Sequence, residues 1–185
     1  YIELNFVYSG QCGQTINTGL IVDCSKHLDK ILDLDVKAQR CVVEPGLVLD
    51  ELNRRMKKDG LWFPVDVSTA SRATIGGMAA NTSCGGRSLR YGTMRDNVLS
   101  IDATLADGQD AHFGLVAADL SDVADGAAHK QILRDMMALG VREADEIRAR
   151  FPKVQRRVGG YNLDGLLPGK NQINAAHLLV GSEGT

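Results

Sequence analysis

Thr74-Ile-Gly-Gly-Met-Ala-Ala-Asn-Thr-Ser-Cys-Gly-Gly86 is the stretch on which the reading of this chain turns. Two adjacent glycines in an otherwise helix-forming run cost about 1 kcal/mol each against alanine. Such a cost is tolerated where something must come close to the backbone. Thr74 is placed to cap a short helix, whose first N–H groups would then point at an anion. After a polar turn, Gly85-Gly86 repeats the signal. Two readings stay open at this point: a backbone cradle for a phosphate-bearing or planar ligand, or a glycine-rich loop that only turns the chain. No Gly-Lys-Ser/Thr follows, so this is not a P-loop. No G-x-G-x-x-G joins a strand to a helix, so the dinucleotide fingerprint is absent too.

Working outward, the flanking sequence predicts a mixture of strands and helices. Leu20–Asp23 reads as a short buried strand. Lys30–Asp35 and Arg40–Glu44 read as a hairpin whose loop is Val36–Gln39, and Pro45-Gly46 ends it. From Val48 to Asp59, Val48, Leu49, Leu52 and Met56 share a helical face, and Gly60 supplies a left-handed exit. Leu99–Leu105 alternates apolar and polar, and Asp107-Gly108 turns it into Asp110–Phe113. Helices are expected over His129–Leu139 and Arg142–Phe151, punctuated by Gly140 and Pro152. His177–Val180 reads as a strand. There is no regular βαβ rhythm, so the expected fold class is α+β.

Composition narrows the function. The chain has 185 residues, 44% of them hydrophobic and 24% charged, with a formal net charge of -2. That is enough chain to bury a core without disulfides. Aromatics are only 5%, and the basic clusters Arg54–Lys58 and Arg156-Arg157 sit among acids, so nucleic acid is a poor partner. Cys12, Cys24, Cys41 and Cys84 form no CxxC pair and no zinc spacing. They read as small apolar residues in a reducing, cytoplasmic compartment. Cys84 is singled out only by its glycine-rich surroundings. His27, His112, His129 and His177 pair with no cysteine or carboxylate at ligand spacing, so no metal is expected. No apolar run is long enough to cross a membrane as a helix. The ending Gly181-Ser-Glu-Gly-Thr185, directly after an apolar run, reads as a truncation.

The run Pro64-Val-Asp-Val-Ser-Thr-Ala-Ser-Arg-Ala73 leading into the glycine stretch, followed by Arg90-Tyr-Gly92, closely resembles the FAD-linked oxidases with a PCMH-type FAD-binding domain. The resemblance extends through Gly13–Asn17, Val43–Gly46, Ala106–Gly108, Phe151–Asp164 and Leu179–Thr185, in the family's order over nearly the whole chain. Within that family the chain looks like the D-lactate, glycolate and 2-hydroxyglutarate dehydrogenases. The resemblance implies an α+β fold of two lobes with FAD between them. Residues 1–63 would form the first lobe and 64–185 the second, without the C-terminal substrate cap. It implies cofactor-binding roles for Gly13 and Gln14 beside the phosphate loop, and for Asp66, Ser68, Thr69 and Thr74 along the cofactor. Gly76 and Gly77 would face the pyrophosphate, and Asn81, Ser83 and Gly85 the flavin side. Tyr91, Gly92, Glu183, Gly184 and Thr185 would complete the lining. A full-length relative would oxidise a D-2-hydroxy acid. This chain alone would bind FAD non-covalently, because no histidine stands at the family's flavin-linking position, and would carry no catalytic residue.

Two departures matter. Where the family has a loop of the type Arg-Gly-Gly-Gly-Thr, this chain has Asn5-Phe-Val-Tyr-Ser9. Bulky residues fit poorly where left-handed angles and close approach are needed. The strands that precede that loop in the family are expected to be missing. These features support an alternative: a truncated or degenerate relative that binds no FAD and serves as an interaction module.

Overall fold

The computed structural model describes residues 2–5, 20–127 and 129–183. Strand β1 (Ile2–Asn5) lies parallel to β2 (Leu20–Asp23), pairing Ile2 with Leu20. So a strand does stand immediately ahead of the Phe6-Val7-Tyr8 stretch, where none was expected. That stretch itself lies outside the described residues. Strands β3 (Ile31–Asp35) and β4 (Arg40–Val43) form the expected antiparallel hairpin. The Asp35 carboxylate accepts the Ala38 N–H at 2.8 Å and fixes the turn.

Helix α1 (Leu49–Met56) buries Leu49, Leu52 and Met56, then tightens into a 3-10 turn and exits at Gly60 with φ of 71°. Three short helices follow: α2 (Ile75–Ala80), α3 (Ser88–Tyr91) and α4 (Met94–Asn97). The last two were not foreseen, since four residues show no periodicity. A reciprocal cap starts α4: Asp96 accepts from the Thr93 N–H at 2.8 Å.

Strands β5 (Ile101–Thr104) and β6 (Asp110–Phe113) make the second expected hairpin. Strand β7 (Leu115–Ala117) pairs antiparallel with β8 (Gln172–Asn174), a contact between segments far apart in sequence. Between them lie α5 (Lys130–Arg142) and α6 (Ala144–Arg150). Gly140 does not end α5 as expected. A Cβ there would stand 2.4 Å from the Leu166 carbonyl oxygen, so glycine serves close packing inside the helix.

The expected strand His177–Val180 is instead a single helical turn, α7 (Ala176–Leu179). Asn174 Oδ1 accepts the Ala176 N–H at 3.0 Å, and the Val180 N–H reaches back to the Ala176 carbonyl at 3.0 Å. A four-residue apolar run cannot distinguish the two states. Among the described residues the strands form four two-stranded sheets, so the architecture is mixed α and β with small sheets. No helix among the described residues is long and apolar enough to cross a membrane.

The core has three parts. Phe113, Val116, Leu133 and Leu178 anchor one, and Leu47, Leu52 and Met56 another. The third joins Leu49, Val65, Ala73, Met78, Met94 and Val180, so it ties α1, α2 and the turn after α7 together. It fixes the position of the glycine stretch.

Candidate functional site

Helix α2 carries Gly76 and Gly77, and Thr74 caps it as the sequence indicates. The Gly77 N–H donates to Thr74 Oγ1 at 3.3 Å. The expectation that the first N–H groups of this helix face an anion is overturned, because the hairpin exit occupies them. The Ile75 N–H donates to the Leu47 carbonyl and the Gly76 N–H to the Pro45 carbonyl, both at 2.8 Å. In return the Leu49 N–H donates to the Ala73 carbonyl at 2.9 Å. The segments Pro45–Leu49 and Ala73–Gly76 are thus laced side by side, and α2 is held rigidly by its own chain.

Open donors occur one turn further on. A cavity of about 490 Å³ is lined by Asp66, Val67, Ser68, Cys84, Gly85 and Gly86. The N–H groups of Ser68, Cys84 and Gly86 have no acceptor among the described residues. Ser83, the residue before Cys84, is buried, and its Oγ has no hydrogen-bond partner among the described residues. Ser68 and Gly86 are exposed and Cys84 is half-buried, so their N–H groups are open to solvent or a ligand, whereas an unpartnered buried hydroxyl such as that of Ser83 is uncommon in a packed protein. Together these groups suit a ligand with several acceptor atoms. Arg156 adds positive charge here, its guanidinium lying 3.2 Å from Cys84 Sγ.

The cavity brings together three of the sequence-selected residues, Asp66, Ser68 and Gly85. Asp66 also holds the local structure, because its Oδ1 accepts the Arg87 N–H at 2.9 Å. Gly85 is glycine for the same contact, since a Cβ would fall 1.9 Å from the Asp66 carbonyl oxygen. The Thr69 carbonyl accepts the Arg72 and Ala73 N–H groups, each at 2.8 Å, and so closes the turn below the cavity. Gly92 has φ of 80° and packs against Asp96, so its conformation alone calls for glycine. Asn81 ends α2, its N–H on the Gly77 carbonyl at 3.1 Å. The sequence pattern does not single out the open N–H groups of Cys84 and Gly86, although the doubled Gly85-Gly86 points to that turn.

Glu183 arrives from the far end of the chain. Its N–H donates to the Ala80 carbonyl at 2.9 Å, and that of Gly181 to the Ala79 carbonyl at 3.0 Å. Both therefore satisfy the C-terminal end of α2. A buried amide holds this segment in place: Asn162 Nδ2 donates to the Val180 carbonyl at 2.7 Å and to that of His177 at 3.2 Å. Beside it Asp164 binds Arg95 at 3.1 Å and Arg157 at 2.8 Å. Burial pushes the Asp164 carboxyl up, but the two guanidiniums outweigh it and hold the group below the usual carboxylate range. His177 is pushed below the ordinary histidine range, by burial first and then by Arg95.

Tyr91 is not in the 490 Å³ cavity. It lines a second one with Trp62, Arg87 and Arg90. Gly13, Gln14, Gly184 and Thr185 lie outside the described residues. Among the described residues no group of three or more His, Cys, Asp or Glu could hold a metal ion.

Comparison with known proteins fits this geometry. Residues 7–114 match the family model described as FAD binding domain. The chain is 33% identical over 180 residues to the D-2-hydroxyglutarate dehydrogenase of Pseudomonas putida, and 32% identical over 181 residues to that of Escherichia coli. Each match takes in 96% of this chain and 18% of the relative. The glycolate oxidase subunit GlcD of Bacillus subtilis is 37% identical over 98 residues, 52% of this chain and 21% of that protein. The chain thus spans about a fifth of the length of the curated relatives it matches. The matched region contains α2, the open amides at Ser68, Cys84 and Gly86, and the Asp66 cavity. The chain belongs to the FAD binding domain family.

Proposed function

We propose that this chain holds FAD non-covalently for a flavin-dependent oxidoreductase whose substrate is a D-2-hydroxy acid. When bound, FAD would supply the acceptor for the hydride that leaves the hydroxyl-bearing carbon and carries both electrons of the oxidation with it. The residues of this chain orient the cofactor and shield it from water. One observation carries the reading: Ser68, Cys84 and Gly86, whose N–H groups have no protein acceptor among the described residues, line one cavity within the family-matching stretch, and the unpartnered hydroxyl of Ser83 is buried directly ahead of Cys84 in the chain. The residues present fit a phosphate-bearing or carbonyl-rich ligand, because such a ligand offers the acceptors those groups lack.

In this reading Ser68, Ser83, Cys84 and Gly86 contact the cofactor directly, with Asp66 and Gly85 forming the wall. Thr74, Gly76, Gly77 and Asn81 act indirectly, by capping, packing and ending α2, which leads into the Ser83–Gly86 turn. Thr69 and Gly92 support the two turns, and Glu183 covers the end of α2. Gly13, Gln14, Gly184 and Thr185 are assigned to the same cofactor on the resemblance alone. The two lobes are 1–63 and 64–185, with their seam where Pro45–Leu49 meets Ala73–Gly76. The D-2-hydroxy acid comes from the names of the relatives, whose remaining length would supply the substrate groups. Non-covalent attachment rests on the absence of histidine from Asn5–Gln14. A cytoplasmic location rests on cysteine usage.

Titration with FAD, followed by quenching of flavin fluorescence, tests the reading. One FAD per chain is expected, and Ser83→Ala should weaken binding about fivefold to tenfold, the worth of one hydrogen bond. Ser83→Ala should at the same time leave the FAD-free protein as stable as before, or more so, because it removes an unmet buried hydroxyl. Unaltered affinity in Ser83→Ala would count against the site.

A second reading has one observation in its favour. Phe6-Val7-Tyr8 replaces the glycines of the family's phosphate loop. On that reading the chain binds no FAD and is an interaction module. Replacing Asn5–Ser9 by Arg-Gly-Gly-Gly-Thr separates the two. Affinity gained on restoring the glycines supports an FAD site with a weakened loop, and no binding by either protein supports the module.

A further inference from the structure

The cavity of about 530 Å³ between Trp62, Arg87, Arg90 and Tyr91 is built from different chemistry than the Asp66 cavity. Arg87, Arg90 and Tyr91 lie three and four positions apart along α3 and its cap, so they share one face. Trp62 faces them from the segment after α1. It is fixed on both sides: the Leu61 N–H bonds to the Met56 carbonyl at 3.3 Å and the Phe63 N–H to Asn53 Oδ1 at 2.7 Å. The two rings meet edge to face with centroids 5.3 Å apart. The Arg87 guanidinium lies 5.0 Å from the Trp62 ring and that of Arg90 5.3 Å from the Tyr91 ring.

Neither arginine has a carboxylate partner among the described residues. Trp62 and Tyr91 remain 43% and 39% exposed. Two uncompensated guanidiniums over an aromatic ledge offer fork-shaped donors for an anion and a flat surface for a ring. The charges match a phosphate monoester, which carries about two negative charges at neutral pH. The volume lies within the ~300–1,000 Å³ usual for small-molecule sites.

We propose that this cavity is a second ligand site, for a flat aromatic ring bearing a phosphate, the class of a nucleoside monophosphate. Tyr91 belongs to this site rather than to the FAD cavity. The phosphate sits between Arg87 and Arg90, and the ring stacks on Trp62.

Trp62 is the chain's only tryptophan, so in the FAD-free protein its fluorescence reports on this cavity, and in the FAD-saturated protein the change AMP causes in the remaining emission does so. AMP, adenosine and inorganic phosphate are titrated separately, first into the protein alone and then into protein saturated with FAD. AMP should quench Trp62 saturably and adenosine only weakly. Phosphate should compete with AMP, and added salt should weaken AMP binding. Arg87→Gln and Arg90→Gln together should lower AMP affinity by about a hundredfold, tenfold for each charge-assisted hydrogen bond removed. Circular dichroism confirms that the double variant folds, and Arg90→Gln alone serves if it does not. Linear quenching, equal response to adenosine, or unchanged affinity in the variants would overturn the proposal. So would loss of AMP binding on saturation with FAD. Failure of FAD to bind leaves the AMP measurement intact, so the two readings fail separately.

Discussion

The N–H of Gly76 donates to the carbonyl of Pro45 at 2.8 Å, so the hairpin exit caps the helix whose glycines had suggested an anion site. Only Gly77 among the first three N–H groups relies on a side chain, the Thr74 hydroxyl at 3.3 Å. Thr74→Ala should therefore destabilise the chain by about 1 kcal/mol, the usual worth of such a cap. Thr74→Ser, which keeps the oxygen, should restore most of it. Urea unfolding of the FAD-free protein measures both. A loss much above that value would mean that Thr74 does more than cap.

The adjacent glycines 85 and 86 should respond unequally to the same substitution. A Cβ at Gly85 would lie 1.9 Å from the Asp66 carbonyl oxygen, which is backbone and cannot swing aside. A Cβ at Gly86 would meet nothing closer than Asp66 Oδ2 at 3.8 Å. Gly85→Ala should cost at least about 1–3 kcal/mol through overpacking, and Gly86→Ala should fall within about 0.5 kcal/mol of the parent, as surface changes do. Equal effects in urea unfolding would mean that the Asp66 turn is not packed as described.

This pair shows what the sequence could and could not reveal. Glycine doublets marked both α2 and the turn after it, and the hairpins and α1 followed from alternation and helical spacing. What stayed hidden was which amides were already spent. That depends on Pro45 and Leu47, some 30 positions upstream, meeting Ile75 and Gly76, and no local pattern encodes the meeting. Strands β7 and β8 were hidden for the same reason: each is three residues long and exists only through the other. Gly140 looked like punctuation because its neighbour in space, Leu166, is remote in sequence.

Asn162 is the pin that holds the last described segment to α2. Its amide bridges the His177 and Val180 carbonyls, and from there Gly181 and Glu183 reach the end of the helix. Asn162→Ala would leave buried carbonyls unmet and should cost about 1–3 kcal/mol. The loss should be uneven. Hydrogen exchange at the Gly181 and Glu183 amides should accelerate more than exchange within α5, which shares no bond with Asn162. Uniform acceleration would show that the segment does not open on its own.

Acid should weaken the same corner in two steps. His177 is depressed by burial and by Arg95, with Asp96 and Asp164 opposing. A histidine depressed on folding takes up its proton more readily when unfolded. Its contribution is therefore complete above the unfolded value of about 6.5 and is lost as pH falls towards the folded value. Asp164 follows in a lower window: its contribution is complete above about pH 4 and is lost as pH falls through the depressed folded value. Unfolding midpoints measured between pH 8 and pH 5 should decline in the parent. His177→Gln should flatten that decline while leaving the steeper loss below about pH 4, the range of an ordinary aspartate. Asp164→Asn should keep the upper decline and lessen the lower one, to which Glu51, Asp23, Asp119 and Asp125, also held below the usual range, continue to contribute. A decline that survives in His177→Gln would show that another group governs the upper window and that His177 does not set it.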